Sequence, residues 1–489
     1  MHRTRRPLGV PITVLSLLLS ACGGGDGSGG FANIPPTATP TPSPTPTSGQ
    51  CSLRAREDWA LAQVNEWYLF PETLTGSVDP AAYTTLADYV DALTAGARAE
   101  GKDRYFSYVT SIAEEDAYYD TGNSAGFGVR LQYDEDARRV FVAEAFEGTA
   151  ALDAGLDRGA EILAIGNDAA SLRDVSDIMA SDGAAGVSDA LGPSTAGTTR
   201  ALRIRDAAGE RVVTLTKTEY DLTPVSSRYG ARIIEENGRS IAYVNLRTFI
   251  DTADPALRNA FASFRAQGVD QVIVDLRYNG GGLLSVAQVL GNLLGGNRAT
   301  SDVFARMTYR DSKSAENETY RFAPQSQSVS PARIAFITTG DTASASELVI
   351  NAMLPYLHAD VALIGDNSYG KPVGQIALDQ SACDDRLRLI AFSLQNSAGQ
   401  GDYYEGLAPY MDATCKAEDD IDHALGDARE ASIRQAIDWL GGASCTPIPA
   451  VTQTARTASA EHVQSIGAGA HLLVPARPTT PQREVPGSF

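Results

Sequence analysis

The spacing of apolar residues changes along the chain, and its first two patterns predict two structural regions. From residue 51 to 120 they recur at helical spacing, as in Trp59, Val64 and Trp67, which predicts a small N-terminal helical segment. From 121 to 218, short alternating or apolar runs such as VFVAEAF are separated by Gly and Asp turns. This pattern predicts a compact, mainly β domain.

The third region, from 219 to 447, alternates buried strands with amphipathic helices. Its strand-like runs are IAYVNL, QVIVDL, RIAFITT and VALIG. Alternation of this kind predicts an α/β domain with right-handed crossovers. We expect its functional site at the carboxyl ends of the strands, where such sheets bind ligands.

The beginning of the chain has the pattern of an export signal. Residues 1–22 combine a basic start, the apolar run ITVLSLLL and small residues before Cys22. The run is too short to remain as a membrane span. Leu19–Cys22 resembles a bacterial lipobox, so we predict a lipid on Cys22 that holds the protein at a membrane surface of the bacterial cell envelope, with the body in the periplasm or outside the cytoplasmic membrane. The alternative is an ordinary cleaved signal with an incidental cysteine.

Two segments have compositions that favour no packed core. Residues 23–50 are Gly-rich and then Pro- and Thr-rich, which predicts an extended tether. Residues 448–489 are rich in Thr, Ala, Pro and Gln, which predicts a disordered tail.

The charge balance excludes one class of partner. The formal net charge is −20, from 40 basic and 60 acidic residues. Nucleic-acid binding needs a basic patch, and none stands out, so we expect no nucleic-acid partner.

The remaining cysteines are Cys51, Cys383, Cys415 and Cys445, an even number in an exported chain. Two disulfides are expected, and three pairings are possible. We favour Cys383 with Cys415 and Cys51 with Cys445. The cysteines are far apart, with no C-x-x-C and no histidine at ligand spacing, so we expect no metal site.

Catalytic chemistry is indicated at two turns that follow predicted strands. Ser344 comes after RIAFITT at the start of a helix, and the glycines 280–282 come after QVIVDL. A helix amino end offers free N–H groups and positive partial charge, which suit a tetrahedral oxyanion. We expect the N–H groups of Gly280, Gly281 and Ala345 to form that site. Taken alone, a Gly-Gly-Gly turn is as well explained by a flexible loop.

A serine nucleophile needs a base, and lysine is the better candidate here. His358 and His423 fall within the predicted body, and neither has the setting of a catalytic histidine. Lys371 lies in a Gly-Lys-Pro turn after VALIG, at the same sheet edge as Ser344. Burial there would lower its pKa enough for it to act as a neutral base, oriented by Gln375.

The motifs DLRYNGGG, TASASE and YGKPVGQ, in this order after a β domain, resemble the carboxyl-terminal processing proteases, S41-type serine peptidases. The resemblance implies Ser344 as nucleophile, Lys371 as general base and Gln375 as the third member. Ser346 is then a helix residue that packs or hydrogen-bonds. It implies a ClpP/crotonase-like α/β protease core and protein or peptide substrates. Because the sequence offers no metal ligands or phosphate loops, we also expect no cofactor.

The resemblance extends to the β region, which it identifies as an inserted PDZ domain. Gly126, Phe127, Gly128 and Val129 match its carboxylate-binding loop, where a peptide adds as a strand and its terminal carboxylate meets backbone N–H groups. Substrates would then be recognised by their carboxyl-terminal segments. The chain departs from the family pattern in three respects. Ala160 replaces the usual Asp, Pro372 replaces a common Gly, and the interval from Ser344 to Lys371 is longer.

Two other functions compete with a Ser-Lys peptidase. Residues 122–126 fit the G-x-S-x-G pattern of esterases, but EEDAYYDT precedes them instead of a buried strand. A catalytically inactive envelope scaffold that binds protein carboxyl ends is the second alternative. The joint presence of Ser344, Lys371 and Gln375 counts against it.

Overall fold

A computed structural model describes residues 49–74, 76–449 and 471–489. The predicted signal, the predicted lipidation site Cys22 and nearly all of the predicted tether lie outside the described residues. Within the described ranges, no helix combines the length and apolar character needed to cross a membrane.

The N-terminal segment is mostly helical and shares its core with the rest of the protein. Its elements are α1 (Leu53–Trp67), α2 (Leu86–Leu93), α3 (Ala95–Ala99), β1 (Tyr108–Ser111) and α4 (Ile112–Thr121). Ser52 caps α1 and Thr85 caps α2, each through a side-chain oxygen that accepts a main-chain N–H. Val64 and Val90 pack in one cluster with Leu387 and Leu389, so this segment is bound to the later strands by apolar burial.

Residues 123–221 form a mainly β region. Its elements are β2 (Asn123–Gly126), β3 (Val129–Asp134), β4 (Arg139–Ala145), α5 (Ala150–Asp153), β5 (Glu161–Gly166), β6 (Arg173–Asp174), α6 (Val175–Leu191), β7 (Thr199–Asp206), β8 (Gly209–Thr216) and β9 (Thr218–Asp221). β3, β4, β5, β7 and β8 are neighbours in this order, all antiparallel. β2 and β9 pair with each other and join the region to its flanks.

The α/β region contains two sheets. Its elements are β10 (Ala231–Glu236), β11 (Arg239–Asn245), α7 (Ala253–Ala266), β12 (Gln271–Asp275), α8 (Leu284–Leu294), β13 (Val303–Tyr309), β14 (Glu318–Arg321), β15 (Arg333–Thr338), α9 (Ala345–Leu357), β16 (Val361–Gly365), β17 (Val373–Gln380), β18 (Asp385–Gln395), β19 (Thr414–Lys416) and α10 (Ala431–Leu440). The first sheet has the order β10-β11-β12-β15-β16-β19. In the second sheet β1 pairs with β18, which also pairs with β13 and β17.

The register of the first sheet brings three loops together. β12, β15 and β16 are parallel neighbours: Asp275 lies opposite Ile337, and Thr338 lies opposite Gly365. The chain therefore leaves all three strands at the same edge. The glycine turn, Ser344 and Lys371 follow these strand ends, so the sheet places them at one edge.

The structure corrects the favoured disulfide pairing. Cys51 is bonded to Cys383, and Cys415 is bonded to Cys445. Cys51 precedes α1, which packs against β18, so the turn before β18 lies beside it. The chain after Cys445 runs next to β19, as the 2.8 Å hydrogen bond from the N–H of Lys416 to the carbonyl of Thr446 demonstrates. These proximities arise from packing, which cysteine spacing does not encode.

The prediction of a disordered tail is wrong for residues 471–489. They form β20 (His471–Leu472), which pairs with β3, and α11 (Thr480–Glu484). Leu473, Val485 and Phe489 are buried. The composition of the tail misled the prediction because Leu473, Val485 and Phe489, although few and isolated, are buried against other regions. Residues 450–470 lie outside the described ranges.

Candidate active site

Ser344 lies between β15 and α9 in a backbone conformation that residues other than glycine rarely adopt. Its φ is 55° and its ψ is −113°. A strained residue of this kind persists only where neighbours fix it. The N–H of Ser344 donates to Oε2 of Glu347 at 3.0 Å, and its carbonyl accepts from Leu348 at 2.9 Å. The hydroxyl is thus held at the amino end of a helix.

The glycine turn 280–282 passes directly beside Ser344. Gly281 has a φ of 122°, and a Cβ there would lie 2.8 Å from the Cβ of Ser344. A side chain would therefore collide, and glycine permits the approach. The carbonyl of Asn279 accepts from the hydroxyl of Ser346 at 3.1 Å, which ties the turn to α9. Ser346 is buried and hydrogen-bonded, as expected of a structural residue.

The three expected oxyanion donors differ in what they contact. The N–H of Gly280 donates to the carbonyl of Glu484 at 3.0 Å. The N–H of Gly281 donates to Oδ1 of Asn279 at 2.9 Å. Ala345 is the first residue of α9, where main-chain N–H groups have no partner within the helix. In this conformation, two of the three expected N–H groups are therefore already engaged.

Lys371 is held in an apolar corner next to a glutamine. Its Nζ donates to Oε1 of Gln375 at 3.1 Å and lies 5.1 Å from the ring centroid of Phe106. Nε2 of Gln375 donates to the carbonyl of Phe106. Burial lowers the pKa of Lys371 below its usual 10.5; the carboxylate of Glu484 opposes this shift and Arg483 adds to it. A lysine with a lowered pKa is a candidate base.

Glu347 joins the serine to the lysine loop, and the sequence analysis did not identify it. Besides the N–H of Ser344, its carboxylate accepts the hydroxyl of Ser368 at 2.6 Å, the N–H of Gly370 at 2.7 Å and the N–H of Lys371 at 2.8 Å. Burial raises the pKa of Glu347, and these hydrogen bonds oppose the shift. A Glu three residues after a helix-capping serine was the available signal.

The N-terminal segment supplies a wall of the site, which the sequence analysis also missed. The guanidinium of Arg104 donates to the carbonyls of Tyr369 and Gly370 in the lysine loop. The buried carboxylate of Asp103 accepts the N–H of Phe106 at 2.8 Å. Phe106 is therefore fixed where its ring and carbonyl meet Lys371 and Gln375.

The expected carboxylate-binding loop, residues 126–129, holds Phe489 of the same chain. The N–H groups of Gly128 and Val129 donate to the carbonyl oxygen of Phe489 at 3.0 and 3.4 Å. The N–H of Phe489 donates back to the carbonyl of Val129 at 2.9 Å. At Gly126 a Cβ would lie 2.7 Å from the carbonyl carbon of Phe489, so glycine is needed for this approach. The rings of Phe127 and Phe489 belong to one apolar cluster.

The segment around α11 contacts the loops of the candidate site. A cavity of about 120 Å³ is lined by Gly280 and Lys371 from these loops and by Arg483 and Glu484 from the segment. The hydroxyl of Tyr119 donates to Oε1 of Glu484 at 3.1 Å. Burial raises the pKa of Glu484, and the nearby Lys371 opposes this shift.

A buried arginine connects the β region, the tail and the glycine turn. Nη1 of Arg130 donates to the carbonyl of Tyr278 at 2.7 Å and to the carbonyl of Pro486 at 2.9 Å. Its Nε pairs with Glu144 at 3.3 Å. Tyr278 immediately precedes Asn279, so a single side chain contacts both the tail and the start of the glycine turn.

The competing nucleophiles and bases lie elsewhere. His358 ends α9, whereas Ser344 begins it, so about 20 Å of helix separates them. His423 pairs with Asp420 at 2.6 Å. Ser124 lies on β2, an extended strand, without the sharp strand-to-helix turn that an esterase needs. No group of three or more potential metal ligands occurs in the part of the chain that the structure describes.

Comparison with known proteins finds a family match over the α/β region. Residues 240–409, which include the glycine turn, Ser344 and Lys371, match the family model of peptidase family S41. This part of the chain is therefore similar to peptidase family S41, the family that the motifs indicated.

The relatives found by sequence are carboxyl-terminal processing proteases. One from Synechocystis is 26% identical over 263 residues, covering 53% of this chain and 56% of the relative. One from Bacillus subtilis is 24% identical over 314 residues, covering 64% of this chain and 61% of the relative. The matches thus span little more than half the length of these curated relatives.

A solved structure shows the same fold over most of the described chain. A putative S41 protease from Bacteroides fragilis superposes with a TM-score of 0.59 at 23% identity, covering 78% of this chain and 97% of that structure. The α/β character that the sequence predicts is therefore confirmed.

Proposed function

We propose that this protein is a serine endopeptidase that uses Ser344 and Lys371. The observation that carries the proposal is the position of Lys371: its amine is buried against Phe106 and hydrogen-bonded to Gln375 at 3.1 Å. The same loop is joined to Ser344 through the carboxylate of Glu347. A neutral lysine held in this way can act as a base without a histidine.

The proposed reaction has two halves. Neutral Lys371 takes the proton of the Ser344 hydroxyl, and the oxygen attacks the peptide carbonyl carbon while the carbonyl π electrons move to oxygen. The N–H groups of Gly280 and Ala345 stabilise the oxyanion, and Gly281 lets the turn approach. The C–N bond then breaks, and the lysine ammonium protonates the leaving amine. Water, deprotonated by Lys371, releases the acyl group in the same manner.

We further propose that the region 123–221 is a PDZ domain that captures the carboxyl-terminal segments of protein substrates. Support comes from the strand addition of Phe489 to β3 and from the N–H groups of Gly128 and Val129 that face its carbonyl. The names of the relatives agree with this substrate class.

For localisation, we propose an enzyme outside the cytoplasm, held at a membrane surface through lipid on Cys22. The motif Leu19–Cys22 and two disulfides support an exported protein. If mass spectrometry of the mature protein found an amino terminus other than lipid-modified Cys22, the anchor would be excluded.

The activity is tested on the full mature chain with a fluorophosphonate probe and a peptide substrate. We expect both labelling and cleavage, and their loss in Ser344→Ala. Ser346→Ala, the matched control from the same motif, should keep much of the activity. Binding of carboxyl-terminal peptides without labelling or cleavage would support the scaffold alternative instead.

A further inference from the structure

The last residues of the chain are bound as a peptide strand. Phe489 exchanges main-chain hydrogen bonds with Val129, and the N–H of Leu131 donates to the carbonyl of Gly487 at 2.8 Å. The ring of Phe489 is only 2% exposed. The tail therefore extends the β3 edge in the antiparallel manner by which an external peptide would bind.

The same tail also covers the catalytic site. Five residues before its end, the carbonyl of Glu484 accepts the N–H of Gly280, an expected oxyanion donor, at 3.0 Å. Arg130 contacts the tail at Pro486 and the glycine turn at Tyr278. One continuous segment thus occupies both places that a substrate would need.

We propose that residues 471–489 are a built-in competitive inhibitor, in which residues 487–489 fill the peptide groove while Glu484 blocks the oxyanion site. The proposal rests on the proposed peptidase function. A substrate with a free carboxyl end and an apolar last residue displaces the tail from the groove, and the catalytic site opens as α11 leaves it.

Two features explain why the bound tail inhibits instead of being cut. The N–H of Gly281 donates to Oδ1 of Asn279, so the oxyanion site is incomplete around the Glu484 carbonyl. The carboxylate of Glu484 also lies near Lys371 and favours its charged form, which cannot accept a proton. Both the geometry and the charge of this state oppose catalysis.

Covalent attachment makes a modest affinity sufficient. A ligand covalently joined to its site acts at an effective concentration of roughly millimolar. A tail that binds in the range of about 10–100 μM as a separate peptide would then occupy its site about 90–99% of the time, and its loss would raise activity about 10–100-fold.

The test compares two single glutamates introduced into the tail of the full chain. Phe489→Glu places a charge in the apolar groove and should raise kcat/KM on a peptide substrate about 10–100-fold. Ala476→Glu adds the same charge at an exposed tail position and should leave activity unchanged. Val485→Glu, at a second buried tail position, should activate as Phe489→Glu does. Circular dichroism and thermal melting check that each variant folds.

A synthetic peptide of residues 480–489 should inhibit Phe489→Glu, and the same peptide carrying Phe489→Glu should inhibit it more weakly. Binding is measured separately, by fluorescence anisotropy of the labelled peptide on the double variant Phe489→Glu, Ser344→Ala. If the double variant binds the peptide and the wild-type protein does not, the docking of the tail is supported. If, in addition, no variant cleaves the substrate, only the peptidase proposal fails. If both tail variants cleave at the wild-type rate and the peptide does not bind, the tail inhibitor is excluded and the peptidase stands. If the inhibition of the enzyme by its tail increased with protein concentration, the tail would act between molecules, and the intramolecular inhibitor would be excluded.

Discussion

The amine of Lys371 lies 3.1 Å from Oε1 of Gln375, on the loop that Glu347 ties to Ser344. Gln375 accepts this hydrogen bond and donates its own to the carbonyl of Phe106. The glutamine therefore orients the lysine without adding a negative charge that would favour its protonated form. This arrangement suits a lysine that must be neutral to act.

Lys371→Ala should lose activity as completely as Ser344→Ala, by about 10²–10⁴-fold in kcat, because members of one catalytic unit are not additive. Lys371→Arg should also fail, since a guanidinium remains protonated. Steady-state kinetics on a peptide substrate measures both. Near-normal turnover in Lys371→Ala together with a loss in His358→Ala would replace the lysine with a histidine base.

The pH dependence should follow the titration of Lys371. Burial lowers its pKa from 10.5, and only the neutral amine is active, so kcat/KM should rise with pH through the lowered pKa and then level off. Between the lowered pKa and 10.5 the unfolded chain binds more protons than the folded one, so this group's contribution to stability also rises with pH. A profile that falls across this range would contradict the assignment.

Glu484→Gln provides the control for that profile. The carboxylate of Glu484 raises the pKa of Lys371, so its isosteric replacement should move the rise in kcat/KM to lower pH. If the midpoint of the pH profile were unchanged, the charge of Glu484 would have no effect on the pKa of Lys371.

Glu347→Gln should lower kcat and leave KM nearly unchanged, because Glu347 positions the serine and the lysine loop without contacting substrate. An amide offers one acceptor oxygen where the carboxylate accepts four hydrogen bonds, so buried donors lose partners. The free energy of unfolding should fall by about 1–3 kcal/mol. Glu316→Gln, at an exposed position, is the matched control. A rise in KM with an unchanged kcat would argue against a positioning role for Glu347.

Removing the Cys51–Cys383 disulfide should destabilise the protein more than removing Cys415–Cys445. The first closes a loop with a sequence separation of 332 residues and the second one of 30. In the chain-entropy account the longer loop contributes more, and loss of a native disulfide costs about 2–5 kcal/mol. Denaturant unfolding of the two double Cys→Ser variants compares them. The reverse order would show that local packing outweighs loop closure.

Local sequence was sufficient for the α/β fold and for predicting that the candidate site residues lie at one edge of the sheet. Runs such as QVIVDL and RIAFITT are apolar throughout, as buried parallel strands must be, and each is followed by a turn and a helix. Parallel strands end at one edge, so the glycine turn, Ser344 and Lys371 could be placed together from chain order alone. The glutamine four residues after the lysine was available from the motif.

Tertiary structure decided what depends on contacts between distant segments. Phe106 enters the site because β1 pairs with β18, and Cys51 meets Cys383 because α1 packs on the same sheet. The tail gave no local signal, since Val485 and Phe489 are isolated apolar residues in a polar segment. These residues are ordered by contacts with residues that lie hundreds of positions earlier in the sequence. Periodicity describes only how a segment relates to its own neighbours, so it does not predict such contacts. The sequence therefore determined which groups form the candidate site, and the tertiary structure determined that the segment around α11 packs against them.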